Sequence, residues 1–308
     1  MIAYGGEKLL KPIYVETEID ARIEDVWEYS QTPELHQQWD VRFSTITYLP
    51  KKEDEPQAFT YTRTVGPLLK VEGWGKSVGQ HEKSDGTKAS SLHFGTDQWF
   101  SPIREGRGYW KYIPNDASKV TFLTEYNYDT NMGKMGKFLD ACLFRPIMGW
   151  GTALSFDVFK RWLEKKESPK SQYFRFFTTY ALMILFSFIW IYQGLIPKII
   201  TIHPVEVEMV SNGLALTEAQ GRQAVFVIGV CEILFGLIWL FYRKKKQIYI
   251  CQLVLFVLLT IAAIIVGPEY MSHPFNPIVT NLALLALTII GICISVDIPS
   301  ARSCKRER

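Results

Sequence analysis

Apolar and polar positions follow two different periods in the first half of the chain. Residues 13–20 alternate apolar and polar side chains, which is typical of a half-buried β-strand. Ile23, Val26 and Trp27 then recur at helical spacing, and Pro33 starts a second short helical turn that carries Trp39. Six further strand-like segments, separated by charged or turn-rich stretches, are predicted at 43–49, 59–65, 69–78, 90–94, 108–113 and 120–128.

A helical period returns after the last of these strands. Apolar residues recur over 135–166 as one stripe, so a long helix is predicted there, with a bend at Pro146. A long apolar-faced helix covers the concave side of a curved antiparallel sheet and often leaves a hollow beneath it. The predicted fold of this half is α+β.

The second half of the chain contains four long apolar runs. They cover residues 176–196, 224–242, 248–267 and 278–296. Each is long enough to cross a hydrocarbon layer of roughly 30 Å as a helix. We therefore predict an all-α bundle of four transmembrane helices.

Positive charges lie at alternate ends of these runs. Lys165, Lys166, Lys170 and Arg175 precede the first run, residues 243–246 join the second to the third, and four cations follow the fourth within 302–308. Such clusters mark the cytoplasmic side. The N-terminus also lacks a secretory signal pattern. We expect a multi-pass protein of the cytoplasmic membrane, with both termini and the soluble domain in the cytoplasm. The aromatic residues near the span ends are predicted to be interfacial anchors: Trp190, Tyr192, Trp239, Tyr242 and Tyr249.

Composition adds exclusions. The 308 residues carry a formal net charge of +3, with no basic patch of the kind that binds nucleic acid. The five cysteines form no CxxC pair, so neither a disulfide framework nor a cysteine metal site is predicted. Membrane lipids are the partner that the sequence implies, and the oligomeric state is not readable from it.

The first half resembles the START-like, helix-grip superfamily (SRPBCC) of polyketide cyclases and lipid-transfer proteins. The resemblance rests on the first strand, the two short helices with Val26, Trp27 and the Pro33 to Trp39 turn, six more strands and the long final helix. It implies a cavity for an apolar ligand. Because the superfamily has no universal catalytic motif and includes enzymes, carriers and sensors, it implies no particular reaction.

Aromatic side chains with a polar group are the default lining of such a cavity. The strand segments and their loops supply six candidates for ligand binding: Tyr61, Trp74, His93, Trp99, Trp110 and Tyr126. The alternative for each is a plain core position. His93 as a general base would need an orienting partner, which the sequence does not show, so a structural histidine is favoured.

The second half resembles the DoxX-like family of four-helix membrane proteins. The resemblance rests on the mixed stretch 195–209, the entry to the fourth span at 273–277, and Gly229, Glu232 and Gly236 in the second span. A distant namesake, the membrane subunit of a thiosulfate:quinone oxidoreductase, would imply quinone or sulfur redox chemistry. The chain has no cysteine pair, haem motif or flavin fingerprint to support it, so the cofactor stays unknown.

Glu232 is the most informative intramembrane residue. A carboxylate at this depth is costly, so we expect it to be protonated or paired and to face the bundle interior. Lys198, Gln193 and Asn281 are candidate partners, although depth argues against direct contact with Lys198. The alternative is a protonated Glu232 that only hydrogen-bonds a neighbouring helix. A metal site is not predicted, because the polar residues of the outer loops lack ligand spacing: His203, Glu206, Glu208, Glu269 and His273.

The sequence thus predicts a helix-grip domain at 1–168, a linker at 169–175, a DoxX-like membrane domain at 176–298 and a basic cytoplasmic tail at 299–308. The function placed first is binding of an apolar small molecule, of lipid or isoprenoid quinone type, in the helix-grip cavity. The alternatives are a quinone-linked membrane redox protein and a small transporter or proton-linked conduit that uses Glu232. No catalytic residue can be named.

Overall fold

The computed structural model describes residues 11–51, 55–66, 69–131, 133–242, 244–272, 274 and 276–307. The predictions that involve the N-terminal decapeptide, Arg243, His273, Phe275 or Arg308 fall outside the described residues. The chain forms two compact units. The helix-grip unit runs up to Tyr173 and includes the segment from Pro299, and the membrane unit is Phe174–Ile298.

The described part of the helix-grip unit contains an antiparallel seven-stranded sheet in the order β1-β7-β6-β5-β4-β3-β2. Two short helices, α1 (Ile23–Gln31) and α2 (Pro33–Trp39), connect its two edge strands. The strands are β1 Ile13–Ile19, β2 Thr45–Tyr48, β3 Ala58–Val65, β4 Leu69–Glu82, β5 Lys88–Gly95, β6 Ile103–Asp116 and β7 Lys119–Thr130. The predicted α+β class is confirmed.

The long helix after β7 is divided by a π-helical turn. It comprises α3 (Gly133–Leu139), the turn Asp140–Phe144 and α4 (Arg145–Lys165). The turn ends two residues before Pro146, which has no N–H group to continue the helical ladder. α4 packs on the β1 and β7 end of the sheet, where Phe122 stacks on Phe156 with ring centroids 4.5 Å apart.

The C-terminal segment is docked on the helix-grip unit. Asp157 of α4 accepts hydrogen bonds from the Ser300 amide at 2.8 Å and from Ser303 Oγ at 2.6 Å. Lys305 forms a two-way backbone bridge with Glu16 of edge strand β1, with both N···O distances 2.9 Å. The segment predicted as a tail therefore covers part of an open sheet edge, which stabilises edges against non-native pairing.

The membrane unit is helical throughout its long elements. It contains α5 (Pro169–Gln193, whose first turns belong to the helix-grip unit), a π-helical segment (Gly194–Ile200), α6 (Pro204–Leu214), α7 (Glu218–Phe241), α8 (Lys245–Val266) and α9 (Pro277–Ile294). Among the described residues, four helices are long and apolar enough to cross a membrane: Pro169–Ile200, Glu218–Phe241, Lys245–Val266 and Pro277–Ile294. The predicted linker at 169–175 lies inside α5.

The aromatic residues near the span ends divide into two groups. Tyr192 and Tyr242 are exposed, as interfacial anchors would be. Trp190, Trp239 and Tyr249 are buried inside the bundle, so the anchor prediction is wrong for these three. Their rings pack against one another and against Phe186 and Phe256 in a single core cluster.

Candidate functional site

The concave face of the sheet is set by strand register. Trp110 lies opposite Thr124, and the next inward position of β7 is Tyr126. Tyr126 reaches α4, where its hydroxyl is 2.9 Å from Thr152 Oγ1. Tyr61, on β3, is buried on the same face and donates to the Gly95 carbonyl at 3.3 Å. The structure therefore brings Tyr61, Trp110 and Tyr126 onto one face.

The strands carry glycines in the middle of this face, and aromatic rings from neighbouring strands lie over these glycines. A Cβ atom at Gly75 would lie 2.3 Å from the Phe59 ring, and one at Gly108 would lie 2.4 Å from Tyr126 Cβ. Gly73 lies under Tyr61 and Gly106 under Phe94 in the same way. The glycines lack a Cβ atom, which lets the rings lie directly on the backbone of the sheet.

Burial differs along the concave face. At the end covered by α4, Phe122 is completely buried. In the middle strands Leu92, Phe94 and Trp110 stay only half-buried, although they are apolar and face the same side. The helix thus closes one end of the concavity and leaves an apolar surface open beside it.

Trp74, His93 and Trp99 do not lie on this face, so the prediction that all six candidates line one cavity is wrong for these three. Trp74 pairs with Gly95 and its ring lies 5.1 Å from that of His93, on the opposite side of the sheet. His93 Nε2 is 2.6 Å from Glu105 Oε1 at the surface. Trp99 lies in the loop after β5 and is 78% exposed. His93 does have an orienting partner, but the pair lies outside the concavity.

A charged cluster that sequence reasoning missed lies at the edge of the concave face. Asp40, the residue after α2, has a fully buried side chain. It accepts hydrogen bonds from Arg42 Nε at 2.9 Å and Arg42 Nη2 at 2.6 Å. His36 Nε2 is 3.1 Å from Asp40 Oδ2, and Ser155 Oγ of α4 donates to Oδ1 at 3.4 Å. The only sequence signal is the spacing of His36, Asp40 and Arg42, which is common on solvated surfaces.

Electrostatics fixes the charge states of this cluster. Burial by itself would raise the pKa of Asp40, but the adjacent Arg42 guanidinium, helped by His36, holds it well below its usual range. Burial lowers the pKa of His36 in spite of its hydrogen bond to Asp40, so the imidazole is neutral at pH 7. Arg42 therefore carries a permanent positive charge, paired with the ionised Asp40, at the edge of the concave face.

Arg42 is held in place by aromatic rings. Its guanidinium carbon lies 5.6 Å from the centroid of Phe43 and 5.5 Å from that of Tyr126. Asp40 occupies the Nε and Nη2 groups, and the Tyr126 hydroxyl is a further hydrogen-bond partner of the guanidinium. A guanidinium has five N–H donors, so these partners do not use all of them. The site combines an apolar floor with a fixed, positively charged hydrogen-bond donor.

A second cluster lies in the membrane unit. Lys198 Nζ is 3.2 Å from Glu232 Oε2 and 3.4 Å from Glu206 Oε2. The side chains of Lys198 and Glu232 are only 10% and 12% exposed. Depth argued against a direct contact between Lys198 and Glu232, and that expectation is wrong. Among the described residues, Gln193 and Asn281 make no hydrogen bond to Glu232, and Gln193 is exposed.

Close backbone approach explains this contact. Gly194, in the π-helical segment, faces Gly229 of α7, and a Cβ atom at Gly194 would lie 2.4 Å from the Gly229 carbonyl oxygen. Small residues let two membrane helices approach in this way. The π-helical segment then carries Lys198 against α7, one turn from Glu232.

A third polar group, also missed in the sequence, links three helices inside the bundle. Trp190 Nε1 donates to Gln252 Oε1 at 2.8 Å, and Gln252 Nε2 donates to Thr288 Oγ1 at 2.8 Å. Gln252 is completely buried. Because both ends of its amide are satisfied, this group is a structural tie between α5, α8 and α9.

Comparison with known proteins extends to both halves of the chain. Residues 187–289 match the DoxX-like family, which confirms that resemblance. The helix-grip unit is similar to the STAR-related lipid transfer protein from Xanthomonas axonopodis (16% identity, 44% of this chain and 78% of that chain, TM-score 0.35). It is also similar to a START superfamily protein from Mycobacterium smegmatis (9% identity, 51% and 100%, TM-score 0.37).

One relative covers nearly the whole chain. Over 300 residues the sequence is 37% identical to the "Uncharacterized membrane protein YndG" of Bacillus subtilis (strain 168), with 97% of this chain and 98% of that protein aligned. Identity at this level over both units shows common descent of the entire two-unit arrangement. The chain belongs to the same family as the Bacillus subtilis membrane protein YndG.

Proposed function

We propose that this chain is a membrane-anchored binding protein for an apolar small molecule of lipid or isoprenoid type, held on the concave face of the helix-grip unit. The observation that carries the proposal is the half-buried apolar surface of Leu92, Phe94 and Trp110 beside the covered end of the sheet. An apolar surface of this kind gains free energy when a ligand removes it from water.

Arg42 narrows the ligand class. The N–H groups of Arg42 that Asp40 and Tyr126 do not use can donate to a carbonyl, carboxylate or phosphate oxygen at one end of an otherwise apolar molecule. Lipids and isoprenoid quinones both have this form. The bilayer is a reservoir for them, because the first membrane helix begins with α5, which follows α4 after residues 166–168.

We further propose that the helix-grip unit and both termini lie on the cytoplasmic side of the cell membrane. The cation clusters before α5, between α7 and α8, and after α9 support this orientation. The hydrogen bonds of Ser300 and Ser303 to Asp157 support a shared side for the C-terminal segment and the helix-grip unit. A reporter domain that works only in the cytoplasm should be active when it is fused after residue 308. A reporter that works only after export should be inactive there, and its activity would contradict the orientation.

Ligand binding is tested with the full chain purified in a mild detergent and analysed for co-purifying apolar molecules by mass spectrometry. Leu92→Trp should fill the concavity and abolish co-purification. Val78→Trp is the matched control, because Val78 is exposed on a neighbouring strand outside the concavity. If neither the wild-type chain nor the control retains an apolar molecule, or if Leu92→Trp retains it fully, the proposed function is wrong.

A further inference from the structure

We propose that Lys198, Glu206 and Glu232 form a proton-binding site of the membrane unit, occupied by one proton when the cluster is at rest. The three groups come from three elements, the π-helical segment, α6 and α7. Lys198 Nζ lies between the two carboxylates, at 3.4 Å from Glu206 and 3.2 Å from Glu232.

The charge balance of the cluster motivates the proposal. One ammonium faces two carboxylates, so the fully ionised cluster carries one net negative charge. Removing an uncompensated charge from water costs several kcal/mol even after relaxation, on the order of the penalty for a buried ion. One added proton makes one carboxyl group neutral and leaves the other paired with Lys198, so the cluster becomes neutral.

The charged groups that face Glu232 are known for each element packed on it. The π-helical segment contributes Lys198, and α6 contributes Glu206. The other carboxylate of α6, Glu208, is exposed and accepts a hydrogen bond from Tyr270 at 3.4 Å. Within the described residues the count of one cation and two carboxylates therefore holds around Glu232.

A gradient of accessibility gives the proton a way in. The side chain of Glu206 is 32% exposed, whereas those of Lys198 and Glu232 are 10% and 12% exposed. Water therefore reaches the cluster from the side of Glu206, and the less exposed Glu232 lies behind the shared ammonium. Uptake changes the cluster charge from one negative to zero and breaks no bond other than the proton's bond to water.

Backbone packing also holds Lys198 and Glu232 in their positions. The contact between Gly194 and Gly229 fixes the π-helical segment against α7, and a Cβ atom at Gly229 would lie 2.8 Å from Lys198 Cβ. A simple separation of these two elements therefore cannot draw the Lys198 ammonium away from Glu232. Protonation is the inexpensive way to balance the charge.

The test is an infrared pH titration of the full chain in lipid nanodiscs, which counts protonated carboxyl groups from their C=O stretching band. At neutral pH the wild-type chain should show one protonated carboxyl group that both Glu232→Gln and Glu206→Gln abolish. Lys198→Met should keep the protonated carboxyl group, because Glu232 then lacks its cation. Glu208→Gln is the matched control from the same helix and should keep the wild-type band.

Two results would overturn the proposal. One is a wild-type spectrum whose carboxyl band is unchanged by Glu232→Gln and Glu206→Gln, in variants that elute from size exclusion like the wild type. The other is loss of the band when sodium replaces choline at constant pH, since the site would then bind a metal cation. Apolar ligand retention by the helix-grip unit is measured on the same samples, and its outcome is independent of this site.

Discussion

Replacement of Asp40 with asparagine tests whether the buried charge cluster holds the helix-grip unit together. The change keeps the size of the side chain and removes its charge, so Arg42 is left without its buried counter-ion. Breaking a buried ion pair by removing one partner costs about 3–5 kcal/mol. Because the asparagine amide can still accept one hydrogen bond and Arg42 is partly accessible, we expect about 3 kcal/mol, the lower end of that range.

Hydrogen–deuterium exchange of the full chain measures this loss without separating the two units. Amides in β7 and α4 exchange through opening of the helix-grip unit. At tenfold per 1.4 kcal/mol, a loss of about 3 kcal/mol accelerates their exchange by about 150-fold. Peptides of α7 and α8 serve as an internal reference and should not change.

Asp25→Asn is the matched control. Asp25 forms an ion pair with Arg22 at 2.8 Å, but the two side chains are 35% and 66% exposed, so removal of this pair should leave exchange near wild type. Exchange in β7 and α4 that stays at the wild-type rate in Asp40→Asn would refute the reasoning. It would mean that Arg42 finds another acceptor or full hydration when the side chain at position 40 is neutral.

Three further predictions concern other parts of the molecule. Burial raises the pKa of the Cys304 thiol from 9.0 to about 11, so Asp157→Ala, which releases the C-terminal segment, should speed maleimide labelling of Cys304 about 100-fold, measured with the other cysteines replaced. Burial keeps His36 neutral in the folded protein, whereas the same histidine in the unfolded chain binds a proton below a pH of about 6.5. Part of the stability that is lost between pH 7 and 5 therefore comes from His36. That loss should be smaller in His36→Gln, measured by thermal unfolding. Gly194→Ala must separate α7 from the π-helical segment and should cost roughly 1–3 kcal/mol in detergent. Gly213→Ala is the control, because its Cβ atom would meet only the two methyl groups of Val266, at 3.2 and 3.6 Å.

The periodicity of apolar residues predicts the helices and strands well, because burial of one face of each helix or strand dictates that periodicity. β1 spans Ile13–Ile19, where apolar and polar side chains alternate. α7 spans Glu218–Phe241 against a predicted run of 224–242, since the capping box at Thr217 and Gln220 starts the helix before its apolar stretch. Hydropathy marks the part of a helix in lipid, and capping residues mark where it begins.

The alternation of side chains along a strand cannot by itself show which of the two sets faces α4. In β4, Trp74 and Gly75 are neighbours, and the larger residue is the natural candidate for a pocket wall. The structure places Gly75 on the concave face, under Phe59. A usable signal is present in the glycines themselves, since Gly73, Gly75, Gly106 and Gly108 share one parity within each strand and mark the face that is crowded by rings.

The Lys198 to Glu232 contact escapes prediction when depth is counted along regular α-helices. A π-helical segment widens the turn and shifts the side chains that follow it. Its presence depends on close packing between Gly194 and Gly229, which is a tertiary property. The Asp40 cluster escapes prediction for a similar reason, since Ser155 lies more than a hundred residues away and the burial of Asp40 depends on α4.

The docked C-terminal segment constrains the number of membrane crossings. Tyr173 and Pro299 both belong to the helix-grip unit, so the chain that leaves this unit at α5 must return to it after α9. If three of the four candidate helices crossed the bilayer, Ser300 and Ser303 would lie across the membrane from Asp157 and could not hydrogen-bond to it. The orientation proposed above therefore needs an even number of crossings. The alternation of cation clusters at the helix ends supports a crossing by each of the four candidate helices. We therefore propose four crossings rather than two.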